Sequence, residues 1–297
     1  MKPVKSWKIF LFEKMAPQFS SKGMLYIVST PIGNLDDITL RAVDVLKKVT
    51  LIAAEDTRHT LKLLKYHNIK NRLLSCHEHN EMIRSRELVR LMEEGKDIAL
   101  VTNAGTPTIS DPGYRVVANT LSANIAVIPV PGVSAAFTAL SVSGLPSDSF
   151  TFIGFLPRKP GKRNTLLQSL AYETRTIIFY ESPRRLLNSL QEFLQIFGNR
   201  QAVVGREMTK VHEEFFRGFI SDIIDRISAG EIKGECTILI EGYKSENKIS
   251  PEILHEEIKR ELKVSAEKDS TVAKKIARRF EISKKTVYDE IIKIKGK

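Results

Sequence analysis

The stretch that decides the fold is residues 98–107, which read IALVTNAGTP. Its apolar start and Thr102 make a short strand, and Asn103-Ala104-Gly105-Thr106-Pro107 ends that strand in a turn. Glycine permits close backbone approach or a positive φ, while proline stiffens the same turn. The stretch therefore predicts a strand whose carboxyl end carries a rigid loop lined by main-chain groups.

The same succession of apolar run and turn recurs on both sides of this stretch. Three further examples are 25–29 followed by 30–34, 51–54 followed by 55–58, and 125–130 followed by 131–135. Helical patterns separate these runs, which is typical of an α/β fold with a mostly parallel sheet. Ligands of open α/β sheets bind beyond the carboxyl ends of the strands, so these loops predict one concave site.

A second α/β unit follows a turn-rich linker at residues 144–148. Apolar runs recur there at 150–155, 176–180, 202–206, 215–219 and 236–241. No long helical pattern separates 202–206 from 215–219, which predicts a mixed sheet. We therefore expect a two-domain α/β fold, with domains at 24–143 and 149–245.

The C-terminal residues 246–297 contain no strand pattern and predict three helices, at about 251–262, 271–279 and 284–294. Ser283 is placed to cap the last helix, with Val287, Ile291 and Ile292 facing inward. Two short helices joined by a turn resemble a helix-turn-helix. A dense group of cations predicts nucleic-acid contact by this tail, the alternative being a helical cap that binds no nucleic acid: Lys274, Lys275, Arg278, Arg279, Lys284 and Lys285.

The charge of the chain favours a polyanionic partner. The 297 residues carry 46 Lys and Arg against 35 Asp and Glu, a formal charge of +11. Much of the excess lies at the ends, since residues 1–23 hold five Lys and one Glu, and residues 246–297 hold 14 basic and 10 acidic groups. We expect 1–23 to be a disordered basic leader, because Glu13 and Lys14 interrupt its apolar run too early for a signal peptide.

Several classes of protein are excluded by what the sequence lacks. No apolar stretch approaches the roughly 20 residues of a transmembrane helix. No GxGxxG follows the first strand and no GxxxxGK[ST] occurs, which argues against a dinucleotide dehydrogenase and a P-loop ATPase. Cys76 and Cys236 lie in or beside apolar runs, which predicts core residues of a cytoplasmic, reducing compartment.

Candidate catalytic groups stand at the strand ends. Glu55, Asp56 and Arg58 follow one strand; Arg58 can pair with one carboxylate and leave the other as a base, or the group is a structural salt bridge. His79 follows another strand within His77-Glu78-His79-Asn80, where it and Asn80 are interpreted as polar groups for a substrate. No third ligand has metal-site spacing, so no metal is expected.

The second unit adds charged turns that predict a rim facing the cleft, or else solvated turns. They are Arg206-Glu207-Met208-Thr209-Lys210 and Lys233-Gly234-Glu235.

At these motifs the sequence resembles a known family. The matching segments are Thr30-Pro31-Ile32-Gly33-Asn34-Leu35, Ala54-Glu55-Asp56-Thr57-Arg58, Asn103-Ala104-Gly105-Thr106-Pro107 with Asp111-Pro112-Gly113, Pro131-Gly132-Val133-Ser134-Ala135, Phe179-Tyr180-Glu181-Ser182, Arg206-Glu207 with Thr209-Lys210, and Lys233-Gly234-Glu235. Together, over about residues 24–243, they resemble the ribosomal RNA small subunit methyltransferase I family, bacterial 2′-O-ribose methyltransferases of the tetrapyrrole methylase superfamily. One departure is Asn103, where the family pattern usually has Asp.

The resemblance implies S-adenosylmethionine as methyl donor and a cytidine in the decoding region of 16S ribosomal RNA, within the small ribosomal subunit, as target. It also implies a homodimer, with neither membrane nor DNA as partner. Donor-binding residues implied by the family's motifs are Pro31, Gly33, Asn103, Ala104, Gly105, Thr106, Pro107, Ser134, Ala135, Gly234 and Glu235. Asp56 or Glu55 is the hypothesised proton acceptor, with Arg58, His79 and Lys210 holding ribose and phosphates.

Three other interpretations remain open. A tetrapyrrole methyltransferase of the same fold needs an apolar cleft for a macrocycle and no basic helical tail. A non-catalytic RNA-binding relative is compatible with Asn103 in place of an acid. The third is a different metabolite-binding α/β enzyme.

Overall fold

The computed structural model describes residues 22–228, 230, 233–244, 251–264, 268–280 and 282–296. The chain divides into two compact units, Met1–Gly242 and Tyr243–Lys297, called here the two-sheet unit and the helical unit. Except for Lys22 and Gly23, the predicted leader lies outside the described residues. No helix in the described ranges is both long and apolar enough to span a membrane.

The first sheet of the two-sheet unit has five strands, all parallel, in the order β3-β2-β4-β1-β5. The strands are β1 (Leu25–Val28), β2 (Leu51–Ala54), β3 (Leu73–Ser75), β4 (Ile98–Val101) and β5 (Val127–Val130). The helices are α1 (Leu40–Lys48), α2 (Thr57–Tyr66), α3 (Glu81–Glu93), α4 (Tyr114–Ser122) and α5 (Ala135–Ser141), with a 3-10 turn at Leu35–Asp37.

The central strand β4 is buried on both faces. Ala99 and Val101 pack into one apolar cluster, while Ile98 and Leu100 pack into another. Because helices cover both faces of a parallel sheet, its inner strands are apolar at every position. The loops after all five strands therefore emerge at one edge of the sheet.

The second sheet has the order β6-β7-β10-β8-β9 and is mixed, as the sequence predicts. Its strands are β6 (Phe150–Phe155), β7 (Thr176–Glu181), β8 (Gln201–Arg206), β9 (Glu214–Phe219) and β10 (Cys236–Ile240), with helices α6 (Pro160–Ser169), α7 (Pro183–Phe197) and α8 (Ile220–Ser228). Only β6 and β7 pair in parallel. The predicted linker at 144–148 lies between the two sheets, which belong to one compact unit.

The helical unit contains α9 (Pro251–Val264), α10 (Asp269–Arg279) and α11 (Lys284–Lys295). These helices share a core that includes Ile258, Ile276 and Ile291. Ser283 caps α11 as predicted, since its Oγ accepts the Thr286 N–H at 3.0 Å. The inward prediction for Ile292 is wrong: it is 55 % exposed, because a residue after Ile291 points about 100° further round the helix.

Both cysteines are buried and unpaired, as the prediction of core residues requires. Burial raises the pKa of the Cys76 thiol to about 11 and that of Cys236 to about 12. Both side chains are therefore protonated thiols at neutral pH, which behave as small apolar groups.

Candidate functional site

The principal cavity of the two-sheet unit opens at the carboxyl edge of the first sheet and has a volume of about 980 Å³. Its walls come from the loops after β4 and β5, the start of α5, strand β6, and the segments that follow β8 and precede β10. A cavity of this size accommodates a nucleotide-sized ligand.

The loop after β4 is fastened to its neighbours at three points. Thr30 and Gly105 exchange two backbone hydrogen bonds of 2.9 and 3.0 Å. The hydroxyl oxygens of Ser29 and Thr106 lie 2.8 Å apart, and Glu55 Oε2 accepts the Asn103 N–H at 3.1 Å. These bonds hold the loop in one position before any ligand arrives.

Asn103 presents an unpaired oxygen at the base of this loop. Its Oδ1 is buried and has no hydrogen-bond partner among the residues that the structure describes. A buried polar atom without a partner carries a desolvation cost that a ligand donor group can remove. Asn103 Oδ1 is therefore an acceptor toward which a ligand's N–H or O–H group can donate.

Two loops of the cavity hold non-glycine residues with positive φ. Thr108 and Ser110 have φ of 77° and 63° after β4, and Glu207 and Thr209 have φ of 49° and 67° after β8. This conformation is unfavourable for L residues, and above all for β-branched ones. Such strain persists where the surrounding contacts enforce it, and it concentrates at functional sites.

Asp111 lines the cavity, although no role was predicted for it from the sequence. Burial raises its pKa to about 7, and the negative charges of Glu55 and Glu235 act in the same direction. A carboxyl group that titrates near neutral pH can accept a proton at physiological pH. Its position within Asp111-Pro112-Gly113, the next turn beyond the β4 loop, was the available sequence signal.

Asp56 and Arg58 lie outside the principal cavity. Asp56 caps α2 by accepting the Arg58 N–H at 2.8 Å, and its carboxylate pairs with the Arg58 guanidinium at 3.1 Å. Side-chain and backbone hydrogen bonds from Arg58 lower the pKa of Asp56 to about 2. The two residues line a neighbouring cavity of about 610 Å³, which shares Asn103 and Glu235 with the first.

The segment after β3 brings two histidines to the cavity wall. Asn80 Oδ1 accepts the His77 N–H at 2.8 Å, and Asn80 Nδ2 lies 3.2 Å from His77 Nε2. The amide therefore donates to Nε2, so neutral His77 carries its proton on Nδ1. That buried Nδ1 has no hydrogen-bond partner within the described ranges. Asn80, which the sequence predicts to contact substrate, hydrogen-bonds to His77 and does not line the cavity.

Two glycines allow close approach beside the cavity, Gly33 between the two sheets and Gly234 between segments of the second sheet. A Cβ at Gly33 would lie 2.6 Å from both Thr209 Oγ1 and Lys210 Cγ, and the Asn34 N–H donates to Thr209 Oγ1 at 2.9 Å. Gly234 has φ of 82°, and a Cβ there would lie 1.9 Å from Glu207 Oε1. Both glycines shape the wall without lining it.

The structure brings most, but not all, of the predicted site residues together. Those that line the principal cavity are Glu55, His79, Lys210, Asn103, Ala104, Gly105, Thr106, Ser134, Ala135 and Glu235. Lys210 Nζ pairs there with Glu207 Oε1 at 2.8 Å. Those that do not line it are Asp56, Arg58, Pro31, Gly33, Pro107 and Gly234.

In the helical unit the six predicted cations are all exposed, with Lys275 paired to Glu261 and Arg279 to Glu257.

In the described part of the chain, no group of three or more His, Cys, Asp or Glu side chains is arranged to hold a metal ion. The cavity walls instead combine carboxylates with main-chain groups and apolar side chains. Such a site suits an organic ligand that carries positive charge.

Comparison with known proteins places these features in one family. The family model for Tetrapyrrole (Corrin/Porphyrin) Methylases matches residues 24–224. The chain is 48 % identical over 235 residues to a ribosomal RNA small subunit methyltransferase I of Halalkalibacterium halodurans, covering 79 % of this chain and 81 % of that protein. It is 49 % identical over 220 residues to the protein of that name from Thermotoga maritima, covering 74 % and 99 %.

Solved structures share the fold at much lower identity. A uroporphyrin-III C-methyl transferase from Thermus thermophilus, complexed with S-adenyl homocysteine, has a TM-score of 0.54 at 18 % identity and covers 74 % of this chain and 97 % of that one. The methyltransferase CobJ has a TM-score of 0.58 at 16 % identity, covering 74 % and 94 %. These similarities establish the two-sheet architecture.

Proposed function

The chain belongs to the ribosomal RNA small subunit methyltransferase I family of the tetrapyrrole methylases, and we infer from this that it methylates small-subunit ribosomal RNA with S-adenosylmethionine. The reaction is 2′-O-ribose methylation of a cytidine in 16S ribosomal RNA, and this cytidine lies in the decoding region. The observation that carries this function is the 48 % identity over 235 residues to a relative of that name.

The principal cavity fits a cationic methyl donor. Glu55, Asp111 and Glu235 place carboxylates in its wall, and these favour a sulfonium and an ammonium group. Asn103 Oδ1 offers an unpaired buried acceptor, while Ala104 and Ala135 leave space along the loops after β4 and β5. When bound, S-adenosylmethionine supplies the electrophilic methyl group together with its leaving group.

Asp111 accepts the proton of the ribose hydroxyl in this proposal. A hydroxyl is a poor nucleophile until a nearby base takes its proton. Asp56 is committed to Arg58 and to the cap of α2, and Glu55 is committed to the Asn103 N–H. Asp111 lies in the same cavity and has a pKa of about 7, so its carboxyl group exchanges a proton near neutral pH.

Substrate binding is divided between the cavity and the helical unit. His79 and Lys210 line the cavity, where they contact ribose or phosphate groups. Lys274, Arg278, Lys284 and Lys285 form no ion pair with any described residue, which leaves their charges available for RNA phosphates.

A homodimer is the assembly that we propose. Met82 and Ile83 on α3 and Tyr114 on α4 are exposed apolar side chains. The starts of these two helices are joined, because Glu81 accepts the Gly113 and Arg115 N–H groups. Exposed apolar groups gathered on one surface favour association. Light scattering after gel filtration should give twice the chain mass, and a monomer at all accessible concentrations would contradict this part.

Methylation of purified small ribosomal subunits with a labelled donor tests the function directly. We expect incorporation into 16S ribosomal RNA, with mass spectrometry placing the methyl group on the ribose of one cytidine. Uroporphyrin-type precursors serve as the competing substrate. Transfer to the precursor and none to the subunits would overturn the proposal, as would methylation of a base.

A further inference from the structure

Phe155 presents an aromatic ring to the principal cavity and to solvent. It ends strand β6, lines the cavity and is 55 % exposed. An exposed phenylalanine forgoes the stabilisation that burial of a large apolar side chain provides. The backbone geometry of β6 explains why this ring is exposed.

A β-bulge in β6 sets the direction of Phe155. The pairing with β7 shifts register between Phe152 and Gly154, so that one extra residue, Ile153, enters the strand. Side chains alternate between faces along a regular strand, and an odd separation of three residues would send Phe155 to the face opposite Phe152. Because of the extra residue, the Phe155 side chain lies on the same face as Phe152, toward the cavity. Bulges commonly redirect a side chain in this way beside functional sites.

Gly154 makes this bulge sterically feasible. Its φ is 74°, and a Cβ at this position would lie 2.5 Å from Ser110 Oγ in the loop after β4. Ring contacts then join Phe155 through Tyr180 to the start of α5. Tyr180 meets Phe152 at 5.1 Å and Phe155 at 5.5 Å between centroids, and its hydroxyl accepts the Ala136 N–H at 3.2 Å.

A run of cations follows the aromatic ring. Residues 157–165 contain four basic residues and no acidic one. Arg163 pairs with Glu192, but Arg158, Lys159 and Lys162 are exposed and make no ion pair within the described part of the chain. Arg158 itself lines the cavity. Phe155 is thus followed closely in the sequence by three exposed cations without an ion pair to any described residue: Arg158, Lys159 and Lys162.

We propose that Phe155 and Arg158 form the subsite for the nucleotide that is methylated. The base stacks on the Phe155 ring, and Arg158 binds a phosphate beside it, with Lys159 and Lys162 extending the cationic surface to the flanking phosphates. Stacking on aromatic rings and charge pairing with the backbone are how proteins hold unpaired RNA nucleotides. The inference rests on the proposed function and assigns its RNA to the β6 side of the cavity.

Phe155→Leu tests the stacking contact, because it keeps an apolar side chain and removes the ring. Loss of one base–aromatic stack should raise KM for small subunits about 10- to 100-fold. The dissociation constant of S-adenosylhomocysteine, measured by calorimetry, should stay unchanged. Phe155→Tyr should restore KM. Phe219→Leu is the matched control, since Phe219 is 44 % exposed at the far end of β9 and lies outside the cavity lining.

Arg158→Gln tests the phosphate contact. We expect the fold to be unchanged, because the Arg158 side chain is exposed. We expect a higher KM for subunits and a fall of about one in the slope of log affinity against log salt. Arg72→Gln is the control, because Arg72 is exposed just before β3, away from the carboxyl edge.

Two results would overturn the subsite. If Phe155→Leu weakens S-adenosylhomocysteine as much as it weakens activity, the ring serves the donor's adenine. If neither Phe155→Leu nor Arg158→Gln changes KM, the RNA binds elsewhere. Anisotropy with a short fluorescent cytidine-containing oligoribonucleotide separates this proposal from the function. A wild-type chain that binds it but methylates no subunit contradicts the function, whereas weakening by Phe155→Leu still supports the subsite.

Discussion

The backbone N–H of Asn103 donates a hydrogen bond of 3.1 Å to Glu55 Oε2. The carboxylate that follows β2 thereby positions the loop that follows β4, and both line the principal cavity. The same charge helps to raise the pKa of Asp111. Glu55 is thus connected both to the position of the loop after β4 and to the ionisation of Asp111, the proposed base.

Glu55→Gln and Glu55→Ala should separate these two effects. Glutamine keeps a carbonyl oxygen that can accept the Asn103 N–H, whereas alanine leaves that donor unpaired at a cost of about 1–3 kcal/mol. We expect urea unfolding to show the loss for Glu55→Ala only. Glu55→Gln should shift the acidic limb of the kcat–pH profile to lower pH, because removing the negative charge lowers the pKa of Asp111. An unmoved profile would contradict this coupling.

Asp111→Asn should abolish most of the activity while sparing donor binding. Loss of a general base typically costs about 10²- to 10⁴-fold in rate. For the wild type, kcat should rise with pH through about 7, where Asp111 loses its proton. Single-turnover methylation of small subunits measures the rate, and calorimetry with S-adenosylhomocysteine is the control. Wild-type turnover by Asp111→Asn would assign the base elsewhere.

Asp111→Asn should also stabilise the fold at alkaline pH. The raised pKa means that Asp111 favours the folded state below its unfolded value of 3.8, and that this contribution is lost as pH rises through about 7. One pKa unit corresponds to about 1.4 kcal/mol, and partial solvent exposure reduces the full value to about 1–2 kcal/mol. Chemical unfolding should therefore show a larger gain for Asp111→Asn at pH 8 than at pH 5. An equal difference at both values would contradict the shifted pKa.

Gly33→Ala should destabilise the two-sheet unit and weaken donor binding. The added Cβ would meet Thr209 Oγ1 at 2.6 Å and the Met208 carbonyl oxygen at 2.8 Å, so the loops after β1 and β8 must separate. Overpacking of this kind costs about 1–3 kcal/mol. Gly161→Ala is the matched control, since nothing lies within 4 Å of its Cβ position and alanine favours helix α6. Similar unfolding midpoints for both variants would contradict the close approach.

The helical unit should contribute RNA affinity without affecting the donor. Replacing Lys274, Arg278, Lys284 and Lys285 with Gln removes four cations and preserves the ion pairs of Lys275 and Arg279. Releasing up to four phosphate contacts should lower the salt slope of subunit binding by about 3. Deletion of residues 246–297 should also weaken subunit binding and lower its salt slope. The dissociation constant of S-adenosylhomocysteine, measured by calorimetry, should stay unchanged. Undiminished subunit affinity of both proteins would remove the tail from RNA recognition.

The local pattern of residues 98–107 and its repeats was sufficient to predict the parallel sheet and the loops at its carboxyl edge. The mixed sheet followed from the missing helical pattern between 202–206 and 215–219. The predictions for Asn103, Gly105 and Ser134 as cavity residues followed from that pattern and from the family motifs. The reason is physical: apolar periodicity and turn residues act over a few neighbouring positions.

Only the tertiary structure decided which carboxylate is available for chemistry and which aromatic ring faces the cavity. Asp56 and Arg58 are two positions apart in the sequence and form an ion pair. The pKa of Asp111 depends instead on burial and on the charges of Glu55 and Glu235, which are far from it along the chain. Phe155 reaches the cavity through a bulge that exists only in the pairing of β6 with β7. Sequence alone thus determined the loops and the family, while charge environment and side-chain direction arose from contacts between distant segments.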